Sequence, residues 1–365
     1  MPLLFTPIKV GTQTLENRIV IAPMCQYSAE DGCTTAWHDV HLGNLALSGA
    51  GLLTIEATAV VPEGRITYGD VGLWDDKTEA ALARTLATVR AVSDMPIAIQ
   101  LAHAGRKASC AKPWDGGQQI APDAPNGWQT EAPSALAYDP GTEAAPTALD
   151  EAGLQRLKDA FADAARRSVR LGIDAIQIHA AHGYLLHSFL SPLSNRREDA
   201  YGGSLANRMR FPLEVFEAIK SAVPEGYPVT VRVSGTDWVD GGWDIEGTVA
   251  FAKELEARGC DGIHISSGGL HPDQKIPVGP GYQVALARAV KQAVTMPVVA
   301  VGLITEAEHA ESILASGDAD MVGIARGILY DPRWPWHAAA QLGAQLKPAR
   351  QYLRCQPHTL KNLFV

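Results

Sequence analysis

Ile173-Asp174-Ala175-Ile176-Gln177-Ile178-His179-Ala180-Ala181-His182-Gly183-Tyr184 joins an apolar run to a cluster of titratable side chains. Ile173 to Ile178 reads as a buried strand. Two imidazoles and a phenol follow at once. A helical turn beginning where the strand ends predicts His179 and His182 on one face, with Tyr184 on the next turn. Two neutral donors and a weak acid at the carboxyl end of a strand can hold a carbonyl oxygen and deliver a proton beside it. Metal binding by His-x-x-His is a competing reading. It needs a third ligand, and neither His-Glu-x-x-His nor Cys-x-x-Cys occurs in the chain. A histidine pair in a capping turn is the third reading. Titratable clusters at strand ends favour a site over packing.

The same alternation recurs on both sides of this stretch. Apolar runs at Arg18–Ala22, Leu52–Glu56, Pro96–Leu101, Pro228–Val233, Gly262–Ser266, Pro297–Val301 and Asp320–Ile324 predict seven further strands. Helical patterns lie between and after them, at His38–Ser48, Lys77–Val92, Asp150–Leu171, Leu205–Val223, Ile245–Arg258, Tyr282–Val294, Thr305–Ser316 and Pro335–Leu342. Strands alternating with helices imply a parallel sheet, and eight such units in 365 residues predict an α/β fold, a (β/α)8 TIM barrel. A doubly wound sheet is the alternative, but no Gly-x-Gly-x-x-Gly follows the first strand. One domain is expected over 1–365. Residues from about 108 to 147, rich in Pro, Gly and Trp, form a long insertion after the third strand. Such an insertion is often a lid over a site. Residues from about 343 to 365 form a tail.

Bulk composition excludes several classes. Apolar residues make up 46% of the chain, enough for a large core. A net charge of −9 and the lack of a basic stripe argue against nucleic acid as partner. The five cysteines (Cys25, Cys33, Cys110, Cys260, Cys355) are odd in number and show no paired spacing, which suits a reducing compartment. The start carries no signal-peptide pattern, and no run of apolar residues is long enough for a membrane span. A cytoplasmic protein is the expectation.

In a barrel of this kind active groups gather at the carboxyl ends of the strands. Those ends carry Cys25 and Tyr27 after strand one, Gln100 and His103 at strand three, and the His179, His182 and Tyr184 group after strand four. Arg232 lies in strand five, Gly302 follows strand seven, and Ala325-Arg326 follow strand eight. Small residues with an arginine after strands seven and eight suit a phosphate. Arg232 inside the barrel would be a buried cation that needs an anionic partner, either a carboxylate or a ligand. A reduced flavin, negative at its pyrimidine edge, would satisfy it, and the Gln100 amide could read the same edge.

With these residues in place, the chain resembles the Old Yellow Enzyme family of FMN-dependent ene-reductases, most closely its bacterial xenobiotic-reductase-like branch. The likeness covers essentially the whole chain. It rests on Ala22-Pro23-Met24-Cys25-Gln26-Tyr27, Glu56-Ala57-Thr58-Ala59-Val60, Gln100 through Lys107, His179 through Tyr184, and the run Asn195 through Ser204 with Asn207-Arg208. The resemblance implies tightly bound, non-covalent FMN and NADPH or NADH as reductant. Ala22, Pro23, Met24 and Cys25 would lie along the isoalloxazine, with Ala57, Gln100 and Arg232 at its polar edge. Gly302, Ala325 and Arg326 would hold the phosphate. His179 and His182 would grip the carbonyl oxygen of an enone, enal or maleimide-type substrate, Tyr184 would donate the proton, and Tyr27 would help to bind. A homodimer or higher homo-oligomer is implied, because the branch lends an arginine from a neighbouring subunit's tail, and Arg354 stands at that place. The chain departs from its relatives just after it, with Cys355-Gln356-Pro357 where an aromatic is common.

Overall fold

Eight parallel strands close into one barrel around which the helices pack. The structure, a computed structural model, describes residues 1–365. The barrel strands are β1 (Ile19–Ile21), β2 (Leu52–Ala59), β3 (Ile97–Ala102), β4 (Ala175–Ala180), β5 (Val229–Ser234), β6 (Ile263–Ser266), β7 (Val298–Ala300) and β8 (Met321–Ile324). Each pairs with its neighbours in the chain, and β8 returns to β1 through Val322↔Ile19 and Ile324↔Ile21. All eight lie close to the expected ranges. β3 and β4 are buried at every position, because helices cover the outside while side chains fill the inside.

The helices are α1 (Ala36–Ala46), α2 (Asp76–Arg90), α3 (Glu151–Arg170), α4 (Leu185–Leu190), α5 (Leu205–Ala222), α6 (Ile245–Ala257), α7 (Val284–Lys291), α8 (Ala307–Ala315), α9 (Arg326–Tyr330) and α10 (Trp334–Leu342). Their starts are chemically marked. Asp75, Asp150 and Asp244 each accept a backbone N–H from the first turn of the following helix, at 2.7–2.8 Å. Phe161 of α3 and Phe211 and Phe216 of α5 are fully buried and join helix to helix and helix to barrel. Truncating any one of them to alanine should cost about 3–5 kcal/mol. No helix is long and apolar enough to cross a membrane.

At the amino end of the barrel a hairpin of Ile8–Val10 and Gln13–Leu15 packs under the strands, with the Thr12 hydroxyl donating to the Gly226 carbonyl at 2.8 Å. The insertion folds over the opposite end. It carries a single 3-10 turn at Pro113–Asp115 and two-residue strands at Glu131–Ala132 and Thr147–Ala148. Trp128 Nε1 donates to the Glu63 carbonyl at 2.8 Å, and an Arg106 Nη donates to the Ala137 carbonyl at 3.1 Å. Both anchors follow carboxyl ends of barrel strands, so the insertion borders the mouth.

Strand register sets the site. His179 of β4 pairs with Arg232 of β5, and Arg232 pairs with His264 of β6. Gln100 of β3 pairs with Gln177 of β4. The β2–β3 ladder slips between Ile55 and Ala57, which places a bulge at Glu56. Bulges of this kind re-aim side chains beside sites.

Candidate active site

The helical turn expected over residues 179–184 does not form. β4 runs on to Ala180, which still pairs with Val233, so His179 is a strand residue. The chain then reverses through left-handed conformations at His182 (φ 61°) and Gly183 (φ 78°), and Tyr184 caps α4. The ladder to β5 offers the backbone hydrogen bonds that a helix start would leave unmet. A side chain at Gly183 would put its Cβ 2.2 Å from the Gly269 carbonyl oxygen, so only glycine fits. His182 in the left-handed region is strained for a histidine, a feature concentrated at functional sites.

The three rings converge despite the changed backbone. His182 Nδ1 lies 3.4 Å from His179 Nε2, and the Tyr184 ring stands edge-on 4.9 Å from the His179 ring. The Ala181 N–H donates to His179 Nδ1 at 3.2 Å, which leaves the proton of that ring on Nε2. On the far side of His182, Nε2 lies 2.7 Å from the Ser266 hydroxyl. Ser267 donates to the Gln283 side-chain oxygen at 2.6 Å, and the Gln283 amide is fixed by donating to the Val301 carbonyl at 3.0 Å, which leaves the Ser266 proton free for Nε2. When Ser266 donates to Nε2, the His182 proton sits on Nδ1, and two N–H groups face one point. Burial first, then the Arg232 charge, holds both histidines well below the usual imidazole range, so both are neutral. Burial, reinforced by acidic neighbours, holds the Tyr184 phenol well above its usual value and keeps its proton in place.

Arg232 is buried and makes no ion pair, and its Nε has no hydrogen-bond partner. Burial lowers it to about 10. His264 beside it is buried with both ring nitrogens unpartnered. A cation and two free polar atoms in the barrel interior call for an anionic, hydrogen-bonding ligand, and the carboxylate partner considered for Arg232 is absent. Gln100 Nε2 donates to Gln177 at 2.8 Å and sits in the same interior.

Cys25 lies between β1 and Glu56, whose carboxylate accepts the Gln26 N–H at 2.8 Å and lies 3.5 Å from His38 Nε2. Burial, then Asp70 and Glu56, raises the Cys25 thiol well above its usual value. All five cysteines are free. Tyr27 has φ 51°, and its ring meets Trp114 of the insertion edge-on at 6.0 Å. Ala22 continues the β8–β1 ladder through its N–H to the Ile324 carbonyl at 3.0 Å, leading into Pro23 and Met24. Ala57 follows the β2 bulge. Gly302 (φ 131°) follows β7, and Ala325 caps α9, whose first residue is the exposed Arg326. Arg354 is not brought to this group. It is exposed in a 3-10 turn, Arg350–Cys355, whose Tyr352 packs on Trp336 at 5.7 Å.

Several residues of the site went unread in the sequence. Ser266 ends β6 and Ser267 follows it, at a strand end whose small hydroxyls give no local signal. Lys107 closes the Gln100–Lys107 motif, and its partners lie far along the chain. Its ammonium donates to the carbonyls of His182 and Gly269, at 3.0 and 2.7 Å. His264 was hidden because a histidine inside an apolar strand resembles a packed core residue.

Comparison with known proteins places the chain. The model of the NADH:flavin oxidoreductase / NADH oxidase family matches residues 3–345. An NADH:flavin oxidoreductase of Gibberella zeae is 44% identical over 363 residues, 95% of this chain and 87% of that one. The NADPH dehydrogenase of Bacillus subtilis is 43% identical over 354 residues, 96% of this chain and 98% of that one. Among solved structures, the old yellow enzyme homologue from Zymomonas mobilis superposes with a TM-score of 0.77 at 27% identity, over 95% of this chain and 94% of that one.

Proposed function

Since this chain belongs to the NADH:flavin oxidoreductase / NADH oxidase family, we propose that it is an ene-reductase acting on the activated C=C bond of α,β-unsaturated carbonyl compounds. It is a flavin oxidoreductase of the Old Yellow Enzyme group, with FMN as cofactor and NADPH or NADH as reductant. The observation that carries the proposal is the pair of neutral histidines 3.4 Å apart with the protonated Tyr184 ring 4.9 Å away.

The residues present fit the cofactor. Arg232, a buried cation without an ion pair, would meet the negative edge of a reduced flavin, and Gln100 would read the same edge. Ala22, Pro23, Met24, Cys25 and Ala57 would lie along the ring. Gly302, Ala325 and Arg326 would hold the phosphate, through backbone N–H groups and a guanidinium. Bound and reduced, FMN supplies the hydride.

The chain's own groups do the rest. His179 Nε2–H and His182 Nδ1–H bind the carbonyl oxygen of a small enone, enal or maleimide and stabilise the enolate charge that grows there. Tyr184, kept protonated by burial, gives its proton to the α-carbon. Tyr27 borders the substrate. Arg354 fits the family pattern only as a group lent to a second copy of the chain.

The test is the visible spectrum of the purified protein under anaerobic conditions. Flavin bands should bleach with NADPH and return on adding cyclohexenone. Bands that bleach but stay bleached with every enone, enal and maleimide tried would overturn the ene-reductase reading.

A further inference from the structure

A cleft of about 640 Å³ opens at the surface next to Tyr27, outside the group described above. Its lining includes Arg65, Lys112, Tyr68, Asn126 and Trp128. The volume is that of a small-ligand site.

The charges in this cleft are unevenly matched. Of the acids on its wall, Glu63 is engaged by Arg156 at 2.7 Å and Asp31 by Lys77 at 3.4 Å, which leaves Glu30. Neither Arg65 nor Lys112 makes an ion pair. Arg65 spends its Nε–H on the Pro62 carbonyl at 2.8 Å, and its other nitrogens have no hydrogen-bond partner. Its guanidinium lies 5.0 Å from the Trp128 ring and 5.5 Å from the Trp74 ring, so the fork is held still. The Lys112 ammonium is 5.1 Å from the Tyr68 ring and 5.8 Å from the Trp114 ring. A fixed fork, a second cation and flat rings in one cleft are a receptor for an aromatic base that carries a phosphate.

The cleft adjoins Tyr27 at the mouth. Lys112 and the Tyr27 carbonyl both crowd Gly69, where a Cβ would come within 2.6 and 2.5 Å of them. Trp114 touches the Tyr27 ring. A long ligand with one end between Tyr27 and the histidine pair would therefore lay its other end along this wall. We propose that the cleft receives the adenosine end of NADPH, with Arg65 and Lys112 binding the 2′-phosphate and Trp128 or Tyr68 stacking on the adenine. The proposal rests on the reading of the chain as an enzyme reduced by a nicotinamide dinucleotide, and it makes NADPH the preferred one.

The first experiment titrates the FMN-loaded protein with adenosine 2′,5′-bisphosphate by calorimetry. The wild type should bind it, and Lys112→Gln and Arg65→Gln should each weaken binding by about tenfold or more, the loss expected for one charge-assisted contact. The second measures flavin reduction in rapid mixing. The same variants should raise the Kd for NADPH by about tenfold, leave that for NADH within about twofold, and leave reoxidation by cyclohexenone unchanged. No bisphosphate binding, or equal losses for NADPH and NADH, would overturn the proposal. Arg65 Nε holds the Pro62 carbonyl whereas the Lys112 ammonium makes no hydrogen bond, so the Lys112 variant keeps the test valid if Arg65→Gln loosens the cleft. Failure of the underlying reading looks different, because neither nucleotide would then bleach the flavin.

Discussion

The Lys107 ammonium stands 5.5 Å from the centre of the Tyr184 ring and 4.7 Å from that of Tyr138, and so bridges the barrel mouth and the insertion. Burial is the main cause that lowers Lys107 to about 8. Below that pH it is a cation facing the phenol, and it favours loss of the phenolic proton. Above it the charge is gone. The rate of the oxidative half-reaction should therefore fall as pH rises through about 8. Lys107→Met should abolish that limb and run about tenfold slower at pH 7, one pK unit of lost stabilisation. Lys107→Arg should restore the rate and move the limb out of range. A limb that persists in Lys107→Met would remove the lysine from the proton step.

His179→Ala takes away one of two donors aimed at the carbonyl oxygen. The loss should be about 3 kcal/mol, a hundredfold or more in the rate of enone reduction. Phenols present an oxyanion to the same donors, so 4-hydroxybenzaldehyde, titrated against the flavin spectrum, should bind more weakly as well. Ser266→Ala should do less, about 1 kcal/mol, because it only frees the His182 tautomer. Unchanged phenol affinity in His179→Ala would dismiss the pair as the carbonyl site.

Tyr184→Phe should keep FMN and its reduction by NADPH while slowing reoxidation by cyclohexenone by about 10²–10⁴. Stopped-flow absorbance separates the two halves. A wild-type reoxidation rate in the variant would mean that solvent gives the proton.

Asp70 should leave a mark on stability rather than on turnover. It is buried, accepts the Thr67 hydroxyl and the Ile66 N–H at 2.8 Å each, and is raised to about 7, chiefly by burial. Its unfolded value is the ordinary carboxylate one near 4. Between these two values the folded chain holds a proton that the unfolded chain has lost, so stability falls as pH rises from about 4 to about 7. Urea unfolding at pH 5 and pH 8 should show a drop that shrinks by a few kcal/mol in Asp70→Asn. An identical drop in the variant would exclude Asp70 as its source.

The barrel was legible because each of its strands is a short apolar run bounded by turn residues, and period alone finds such runs. The site was legible in its residue types more than in its local shape. His179 to Tyr184 read as a helical turn because the three-residue spacing of the histidines suits a helix, and nothing local reveals that Ala180 will pair with Val233. α4 and α9 are too short to show a period. Ser266 matters through a neighbour far along the chain, His182, and Lys107 through Tyr138 and Tyr184. Such roles belong to contacts between distant segments, which a reading of local pattern does not contain. Arg232 was read correctly as a cation in the interior, but only the fold shows that no carboxylate meets it.

Gly183 and Gly269 lie back to back, each with no room for a methyl group: a Cβ on the first would sit 2.2 Å from a carbonyl oxygen, and one on the second 2.5 Å from His182 Cα. This contact limits how the protein can diversify. Changes at either glycine abolish the reversal that delivers His182, so lineages that seek new substrates are channelled elsewhere on the rim. There the insertion faces the mouth with Tyr138 and Trp114 on an irregular backbone that tolerates replacement. A saturation library aimed at new substrate scope should spend its diversity between residues 108 and 147, spare Lys112 and Trp128, and hold both glycines fixed.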